Sequence, residues 1–339
     1  TLMNTTTIFN AFPHLVVDNG TGVELNTMGS GMGKVWWEAY DELWLTMDVG
    51  RMDYGLSGTA FMWGPGYFNF YQAPGDPPAA PFSSGAFSDA MFVNLGVAKP
   101  LSGGGAWAIG VKLAPFGGEE NTPEGVDPTT PERNVPGYGV NASWGNGDGL
   151  HLGAEWAMTG IEEVDWQGDP GTDKFSNMGF GVNARFDTDT YIYQGNFIWA
   201  TGTDEDEQAT DDTDFTGLGF MAQAGRYLKN EVDGQATAEF GLGWVKAKEE
   251  TGDTVAFDNS NILAPSVRVA AWEKITDRFG LMGGVGFTHA FGTDKVDTPG
   301  AEGEAEDKSN GSVFDWSAGL FFQPSDNVRI DARVQESNL

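Results

Sequence analysis

Carboxylates are concentrated in one short stretch of this sequence. Between Asp204 and Asp214, seven of eleven residues are Asp or Glu and none is Lys or Arg. Hard cations such as Ca²⁺ and Mg²⁺ bind through several carboxylate oxygens. The candidate ligands of a weak divalent-cation loop are therefore Asp204, Asp206, Asp211, Asp212 and Asp214. The spacing lacks the central Gly and the terminal Glu of an EF-hand, so the alternative is a solvated acidic loop that attracts cations and repels anions.

Residues that could perform catalysis are few. The chain has three histidines and no cysteine, which leaves no thiol nucleophile and no Cys-based metal site. Ser143 and His151 flank the short segment GNGDG, and a Ser close to a His is one element of nucleophilic catalysis. No third residue that would orient the His is evident, and no Gly-rich phosphate loop precedes a helix. We therefore expect no enzymatic activity and no cofactor apart from the possible Ca²⁺ or Mg²⁺.

Composition limits the classes of partner. Asp and Glu number 49 against 18 Lys and Arg, which gives a formal net charge of −31. A surface this acidic repels phosphates, so nucleic acid is excluded as a partner. The 12 Trp, 23 Phe and 8 Tyr are too many for a disordered chain. No apolar run reaches about 18 residues, so no transmembrane helix is expected. The first ten residues, TLMNTTTIFN, lack the features of a signal peptide, and we expect one to have been removed if the protein is exported.

A period of two residues runs through most of the chain. From Met178 to Phe186, every second residue is apolar, and those between are Gly, Gly, Asn and Arg. Similar alternation occurs around Trp107, Tyr138, Leu150 and Val328. Only a β-strand places alternate residues on opposite faces, and no segment shows a convincing helical period. The sequence therefore predicts an all-β fold.

The predicted strands are joined alternately by short and long links. Twelve strands are predicted at 90–98, 105–115, 136–145, 149–158, 176–187, 190–200, 214–228, 232–247, 260–272, 277–291, 312–323 and 327–335. The short links, such as GNGDG and DTDT, have the composition of tight hairpin turns. The long links are 116–135, 159–175, 201–214, 248–259 and 292–311. A hairpin turning at Asp41-Glu42 and a further strand at 58–72 are also predicted, with 73–85 as a long loop, so 14 to 16 strands are expected.

This arrangement resembles the porin-like β-barrels of the bacterial outer membrane, over roughly residues 33 to 335. The resemblance implies a transmembrane antiparallel up-and-down barrel with short periplasmic turns, long extracellular loops and a polar lumen. It implies outer-membrane lipid and lipopolysaccharide as surroundings, small solutes as ligands and other outer-membrane subunits as possible partners. The chain ends in VQESNL, whereas such barrels usually end in an aromatic residue, so a closing strand is expected to lie beyond this sequence.

Charge and aromatic residues agree with that resemblance. The five long links carry net charges of −4, −4, −7, −3 and −4, which is most of the total of −31, so the acidic tract is predicted to be an extracellular loop. Barrels carry aromatic girdles at both membrane interfaces. The candidates are Trp144, Trp156, Tyr191, Trp199, Trp244 and Trp272. A large soluble β-sandwich is the alternative, and the alternation of loop lengths argues against it.

Two regions of the chain are predicted to differ in role. Residues 33–339 are assigned to the transmembrane barrel. Residues 1–32 form a separate N-terminal segment, for which two interpretations remain open: a short hairpin that turns at Asn19-Gly20, or a plug folded into the lumen. A plug would make the protein gated.

Function is expected on the inward-facing side chains. A charge that faces lipid costs a few kcal/mol at the membrane midplane, so charged residues on the strands should face the lumen. The predicted pore-lining residues are Lys112, Glu155, Arg185, Glu239, Arg268, Arg329, Asp331 and Arg333. They could create a transverse field that tunes solute selectivity; a closed internal network of salt bridges is the alternative.

Three functions follow from these features. The first is an outer-membrane porin-like channel for passive diffusion of small hydrophilic solutes or ions. The second is a gated transporter of hydrophobic compounds, which would use the N-terminal segment as a hatch. The third is a surface-structural barrel that binds a partner through its loops. We expect the first, since the predicted inner face is charged.

Overall fold

The structure is a computed structural model of the 339-residue chain. It describes residues 12–19, 21–25, 33–51, 91–116, 132–134, 137–164, 172–206, 212–252, 257–297, 305–325 and 328–338. No helix in these ranges is long and apolar enough to cross a membrane.

Sixteen strands and one short 3₁₀ helix make up the described part of the chain. The helix, η1, spans Pro13–Asn19. The strands are β1 (Gly22–Leu25), β2 (Gly33–Tyr40), β3 (Leu43–Arg51), β4 (Met91–Pro100), β5 (Ala106–Phe116), β6 (Glu132–Asn134), β7 (Gly137–Gly145), β8 (Leu150–Val164), β9 (Thr172–Asp187), β10 (Tyr191–Asp206), β11 (Thr213–Glu231), β12 (Gly234–Thr251), β13 (Phe257–Thr276), β14 (Phe279–Asp297), β15 (Ala305–Ser325) and β16 (Val328–Asn338).

All sixteen strands belong to one antiparallel sheet. Each strand pairs with the next along the chain, except that β5 pairs with β7 and the three-residue β6 pairs with β8. This up-and-down order confirms the predicted fold class and strand number. All twelve predicted strands are present, together with both arms of the hairpin at Asp41-Glu42. β3 and β4 pair directly with each other in the sheet. The strand predicted at 58–72 and the loop predicted at 73–85 fall outside the described residues.

Short and long connections lie at opposite ends of the sheet. At one end, which we call the short-turn end, β2 and β3 are joined by Asp41 and Glu42, with φ of 42° and 63°. Positive φ at both central residues matches the right-handed twist of the strands. At the same end, Val232 and Asp233 join β11 to β12. The long connections all begin and end at the other end, the long-connection end.

The strands extend further than predicted at the long-connection end. β10 continues to Asp206 and β11 begins at Thr213, so the acidic link predicted at 201–214 is in large part a paired hairpin. The links predicted at 159–175, 248–259 and 292–311 are shortened in the same way, and 116–135 contains β6. A membrane strand needs only about 9–11 residues, whereas β13 has 20. The predicted strand ends were wrong because strands can stay paired beyond the membrane. In water, the alternation of apolar and polar residues no longer indicates which residues are paired.

The two faces of the sheet differ in exposure as the sequence predicted. Leu95, Ile109, Phe240 and Phe287 are exposed on the outer face, while their neighbours Asn94, Ala108, Glu239 and Thr288 lie on the other face. Inward residues such as Asn183 and Thr237 are buried although the described residues include no second sheet. A single sheet buries one face only by curling around it, so this side is the interior of a barrel.

One predicted girdle residue is misplaced. Trp272 shares the inner face with Ala270 and packs edge-on against the buried ring of Phe321, with centroids 6.0 Å apart. Trp144 and Tyr191 are exposed on the outer face, as predicted. The prediction of Trp272 as a girdle residue was wrong because β13 is one unbroken strand of 20 residues. Alternate residues of an unbroken strand share a face, so Trp272 faces inward together with Ala270.

The N-terminal residues do not form the hairpin that turns at Asn19-Gly20. Residues 13–19 form η1 instead, and β1 extends the sheet by pairing with β2. η1 packs against β4, β5 and β7. Phe12 and Val16 are fully buried, and Val16 contacts a cluster of inward residues formed by Trp36, Trp44, Ala98 and Ala108. Helix η1 therefore lies on the inner face, at the short-turn end.

Candidate functional site: the polar inner face

A buried ion pair joins β5 to β8 on the inner face. Lys112 Nζ donates to Glu155 Oε1, and the two residues are only 5% and 2% exposed. Strand β7 lies between them and has Gly139 opposite Lys112. Glycine leaves room above the backbone, so the side chains of two non-adjacent strands can meet. Lys112 and Glu155 thus face inward, as predicted, but they neutralise each other.

A second network occupies β2, β3, β4 and β7. Lys34 Nζ lies 3.2 Å from Asp48 Oδ1, and Asn94 Nδ2 donates to Asp48 Oδ2 at 2.8 Å. Asn141 then donates to Asn94 across β5, at 3.4 Å. A Cβ at the intervening Gly110 would lie 2.6 Å from the Asn141 side-chain oxygen. The network is therefore another contact that depends on an inward glycine.

Arg185 and Glu239 face inward as predicted, and each has a close polar partner. Arg185 Nε and Nη2 donate to the two carboxylate oxygens of Asp187, at 2.6 and 3.0 Å. This fork geometry is the strongest form of a charged hydrogen bond. Glu239 accepts a hydrogen bond from Gln223 on the neighbouring strand.

Arg268 on β13 reaches Asp315 on β15. Its Nη2 lies 3.4 Å from Asp315 Oδ1, and Gly286 of β14 stands opposite both residues in the register. About a third of the Arg268 side chain and a quarter of the Asp315 side chain are exposed. This pair is therefore more accessible than Lys112–Glu155.

The remaining predicted pore-lining residues lie on β16. Asp331 pairs with Phe321 and Arg333 with Gly319 in the register. Paired residues in a sheet share a face, and Phe321 is buried on the inner face, so both positions have inward parity. Arg329 lies on the same strand at a register irregularity, without a paired residue. Asp331 and Arg333 keep their predicted parity. The inward position of Arg329 and a pore-lining role for all three residues stay predictions.

Several inward polar atoms lack a hydrogen-bonding partner within the described part of the chain. The clearest case is Asn183, which is 3% exposed and makes no hydrogen bond with either side-chain atom. The others include Asn141 Oδ1, Glu155 Oε2, Thr237 Oγ1 and Ser266 Oγ. A buried polar group without a partner costs about 1–3 kcal/mol. The interior of the barrel at these positions is therefore polar as well as closely packed.

The acidic stretch lies at the long-connection end. Asp204 pairs with Thr213, and Thr203 Oγ1 donates to Asp214 Oδ1 at 2.8 Å. Asp206 ends β10, Asp212 is exposed, and Asp211 lies outside the described residues. Within the described ranges, no three His, Asp or Glu side chains are grouped closely enough to hold a metal ion. A divalent-cation loop here stays a prediction.

Ser143 and His151 lie on the inner face at the short-turn end, with a third residue between them. His14 of η1 places its Nδ1 2.9 Å from Ser143 Oγ and its Nε2 3.0 Å from His151 Nδ1. The backbone N–H of His14 also donates to Ser143 Oγ, at 3.1 Å. Both His14 and Ser143 are buried. The sequence indicated His151 beside Ser143; it did not indicate that His14 separates them.

Sequence reasoning missed the partners of the predicted residues. Lys34, Asp48, Asp187 and Asp315 were not singled out, although the alternation within their strands would have placed Lys34, Asp48 and Asp315 inward. Which acid meets which base is set by the register and by inward glycines such as Gly286. No sequence pattern indicated a partner for His14, because this residue precedes the first strand.

A curled antiparallel sheet with an apolar outer face, a polar inner face and all short turns at one end defines the class of protein. The chain is a transmembrane antiparallel β-barrel of the bacterial outer-membrane kind, with short periplasmic turns. No family model and no curated protein matches the sequence.

Several solved structures are similar to it. The ferric-catecholate import receptor Fiu of E. coli has 10% sequence identity and a TM-score of 0.48, with 86% of this chain and 59% of that chain covered. The ferric yersiniabactin uptake receptor of Yersinia pestis has 11% identity and a TM-score of 0.41, over 72% of this chain and 44% of that one.

The outer-membrane protein OmpT of Vibrio cholerae matches over a larger share of its own length. It has 10% identity and a TM-score of 0.40, with 93% of this chain and 96% of that chain covered. By contrast, this chain spans about half the length of the receptors it matches.

Proposed function

We propose that the protein is an outer-membrane channel for small hydrophilic solutes, narrowed at its periplasmic end by helix η1. The observation that carries this proposal is the polar inner face. On this face, about a third of the Arg268 side chain and a quarter of the Asp315 side chain are open to solvent. Charged side chains that reach solvent on the inner face favour a hydrated lumen, which diffusion of hydrophilic solutes requires.

Several charged residues of this pathway lie in ion pairs. Lys112, Arg185 and Arg268 each have an acid beside them. A paired charge produces a weaker field in the lumen than an isolated one, so selectivity by size is expected to dominate over selectivity by charge. The Arg268–Asp315 pair is the exception, because it is the more exposed.

Osmotic swelling of liposomes tests the proposal. Purified full-length protein in liposomes should admit small sugars faster than large ones, and planar bilayers should show ohmic conductance in KCl. The control is the same liposome preparation without protein. If the folded barrel showed neither swelling nor conductance, the channel proposal would be refuted.

A gated transporter of hydrophobic compounds is the second candidate, and helix η1 favours it. Phe12 and Val16 are fully buried on the inner face, where the apolar residues Trp36 and Trp44 also lie. An apolar lining at the periplasmic end would suit an apolar solute. Uptake of a hydrophobic fluorophore by protein-containing liposomes, without sugar-dependent swelling, would favour this candidate.

A further inference from the structure

Helix η1 is held on the inner face by a contact between two histidine side chains. The rings of His14 and His151 are stacked with centroids 5.2 Å apart. The ring of Phe12 lies 6.2 Å from His14 and 5.9 Å from His151. At Gly145 on β7, a Cβ would lie 2.5 Å from His14 Nε2 and 2.9 Å from His151 Nδ1. Glycine at this position therefore gives the two imidazoles the space to meet.

Every hydrogen bond in this contact is satisfied when both rings are neutral. The His14 backbone N–H donates to Ser143 Oγ, which leaves the hydroxyl hydrogen free to bond to His14 Nδ1. His14 Nε2 then carries its ring proton and donates to His151 Nδ1. A second proton on His14 would occupy the Nδ1 that Ser143 needs as an acceptor. A second proton on His151 would place two N–H donors face to face.

We propose that helix η1 is a pH-sensitive latch, closed at the periplasmic end of the barrel while His14 and His151 are neutral and released when they are protonated. The consequence of release rests on the channel function proposed above, because release of the helix would widen the lumen. The movement of the helix itself does not depend on that function.

The charged and titratable groups around the latch are few. His151 is faced by Asp18 of η1 and by Arg185 and Asp187 of β9. The inward residues of β4 and β5 that contact η1, Ala98 and Ala108, are uncharged. No carboxylate in the described residues makes a hydrogen bond or an ion pair with the His14 ring that would stabilise its charged form.

Burial, and then the neighbouring His151, lower the pKa of His14 from 6.5 to about 3. The released helix would have an ordinary histidine pKa of about 6.5. Because the closed state binds the proton less well than the released state, the latch is most stable above about pH 6.5 and weakens as the pH falls. The closed-to-released ratio should drop about tenfold per pH unit between about 6.5 and 3.

Thiol accessibility measures release without any need for transport. The chain has no native cysteine, so a Val16→Cys variant carries a single thiol at a fully buried position of η1. A Val232→Cys variant places the matched control thiol on an 86% exposed turn at the same end. Dithiodipyridine reacts with thiols at acid pH. The labelling rate at position 16, divided by that at 232, should rise about tenfold per pH unit below about 6.5.

Substitution of histidine identifies the titrating group. In the Val16→Cys background, His14→Gln should weaken the pH response, and the double variant His14→Gln, His151→Gln should make the labelling ratio independent of pH, whether the helix is then closed or open. His289→Gln is the matched control, because His289 also contacts a serine, Ser312, at 2.6 Å and lies far along the chain from η1. This control should keep the full pH response.

Two results would overturn the latch. One is a labelling ratio that stays flat from pH 7.5 to 4.5 with His14 intact, and the other is an unchanged pH response in His14→Gln. Conductance measured on the same samples separates the two proposals. Labelling that rises at acid pH without any conductance keeps the latch and refutes the channel, whereas conductance with flat labelling keeps the channel and refutes the latch.

Discussion

Inward glycines allow side chains of non-adjacent strands to meet in this barrel. Gly286 separates Arg268 from Asp315, and Gly110 separates Asn94 from Asn141. In a sheet, directly opposed residues are the usual partners, but here a strand is skipped. The pairs therefore link three strands each, which ties the register of one hairpin to that of the next.

Replacing Gly110 with Ala should destabilise the barrel by about 1–3 kcal/mol, the usual cost of overpacking. The new Cβ would lie 2.6 Å from Asn141 Oδ1 and 2.9 Å from Asn94 Oδ1. Urea unfolding from lipid vesicles, followed by Trp fluorescence, measures the change in free energy of unfolding. Gly311→Ala is the matched control, because nothing lies within 4 Å of its Cβ position. Equal effects at both sites would contradict the role of Gly110.

Lys112→Met should be strongly destabilising, by about 3–5 kcal/mol, because it leaves the buried Glu155 carboxylate without its cation. The double variant Lys112→Met, Glu155→Met should recover most of this loss, since it removes both charges from the interior. The same urea measurement on both variants gives the coupling between the two residues. A single variant that costs less than about 1 kcal/mol would indicate a solvated pair.

At the scale of elements, the strands extend beyond the membrane on the extracellular side. β13 and β15 have 20 and 21 residues, about twice the number that a bilayer needs. The extra residues carry much of the acidic charge, and they are held by pairing to neighbouring strands. The acidic tract is thus the far end of a hairpin whose core is in the membrane.

Shortening this hairpin should leave the barrel intact. Asp204 and Thr213 are paired, so Asn-Gly in place of residues 205–212 would close the hairpin with a two-residue turn. Loop-closure entropy changes slowly with length, so stability should change by less than about 1 kcal/mol. Heat-modifiable migration on SDS gels reports whether the barrel folds, and loss of the folded band would show that residues 205–212 are required.

An epitope inserted between Asp206 and Thr213 should be recognised by antibody on intact cells, because this end is extracellular. The same epitope inserted between Val232 and Asp233, in a short turn, should be recognised only after the outer membrane is opened. The reverse pattern would invert the topology.

At the scale of the whole molecule, negative charge is distributed unequally between the two ends. The acidic links lie at the extracellular mouth, while Lys229, Lys274 and Arg278 lie near the periplasmic turns. Such a mouth concentrates cations and repels anions, and salt screens the effect within about 10 Å at 0.1 M. The paired charges of the interior add a smaller field.

Arg268 and Asp315 should tune ion selectivity in opposite directions. Arg268→Gln leaves the Asp315 charge alone in the lumen and should shift selectivity towards cations, whereas Asp315→Asn should shift it towards anions. A unit charge acts with about 1 kcal/mol at 4 Å in water, which corresponds to a severalfold change in permeability ratio. Reversal potentials in a KCl gradient measure this change, and reversal potentials that stay the same in both variants would place the pair outside the conducting path.

The sequence by itself determined the class of fold, the inward and outward parity of Lys112, Glu155, Arg185, Glu239 and Arg268, and the end at which the short turns lie. These features follow from a period of two residues and from local turn chemistry, both of which are written in adjacent residues. The tertiary structure alone decided which charges meet, how far the strands extend into water, and where residues 13–19 pack. These features depend on the register between strands that are distant in sequence, and on an inner surface that forms only when the sheet curls. Neither can be predicted from the pattern of neighbouring residues.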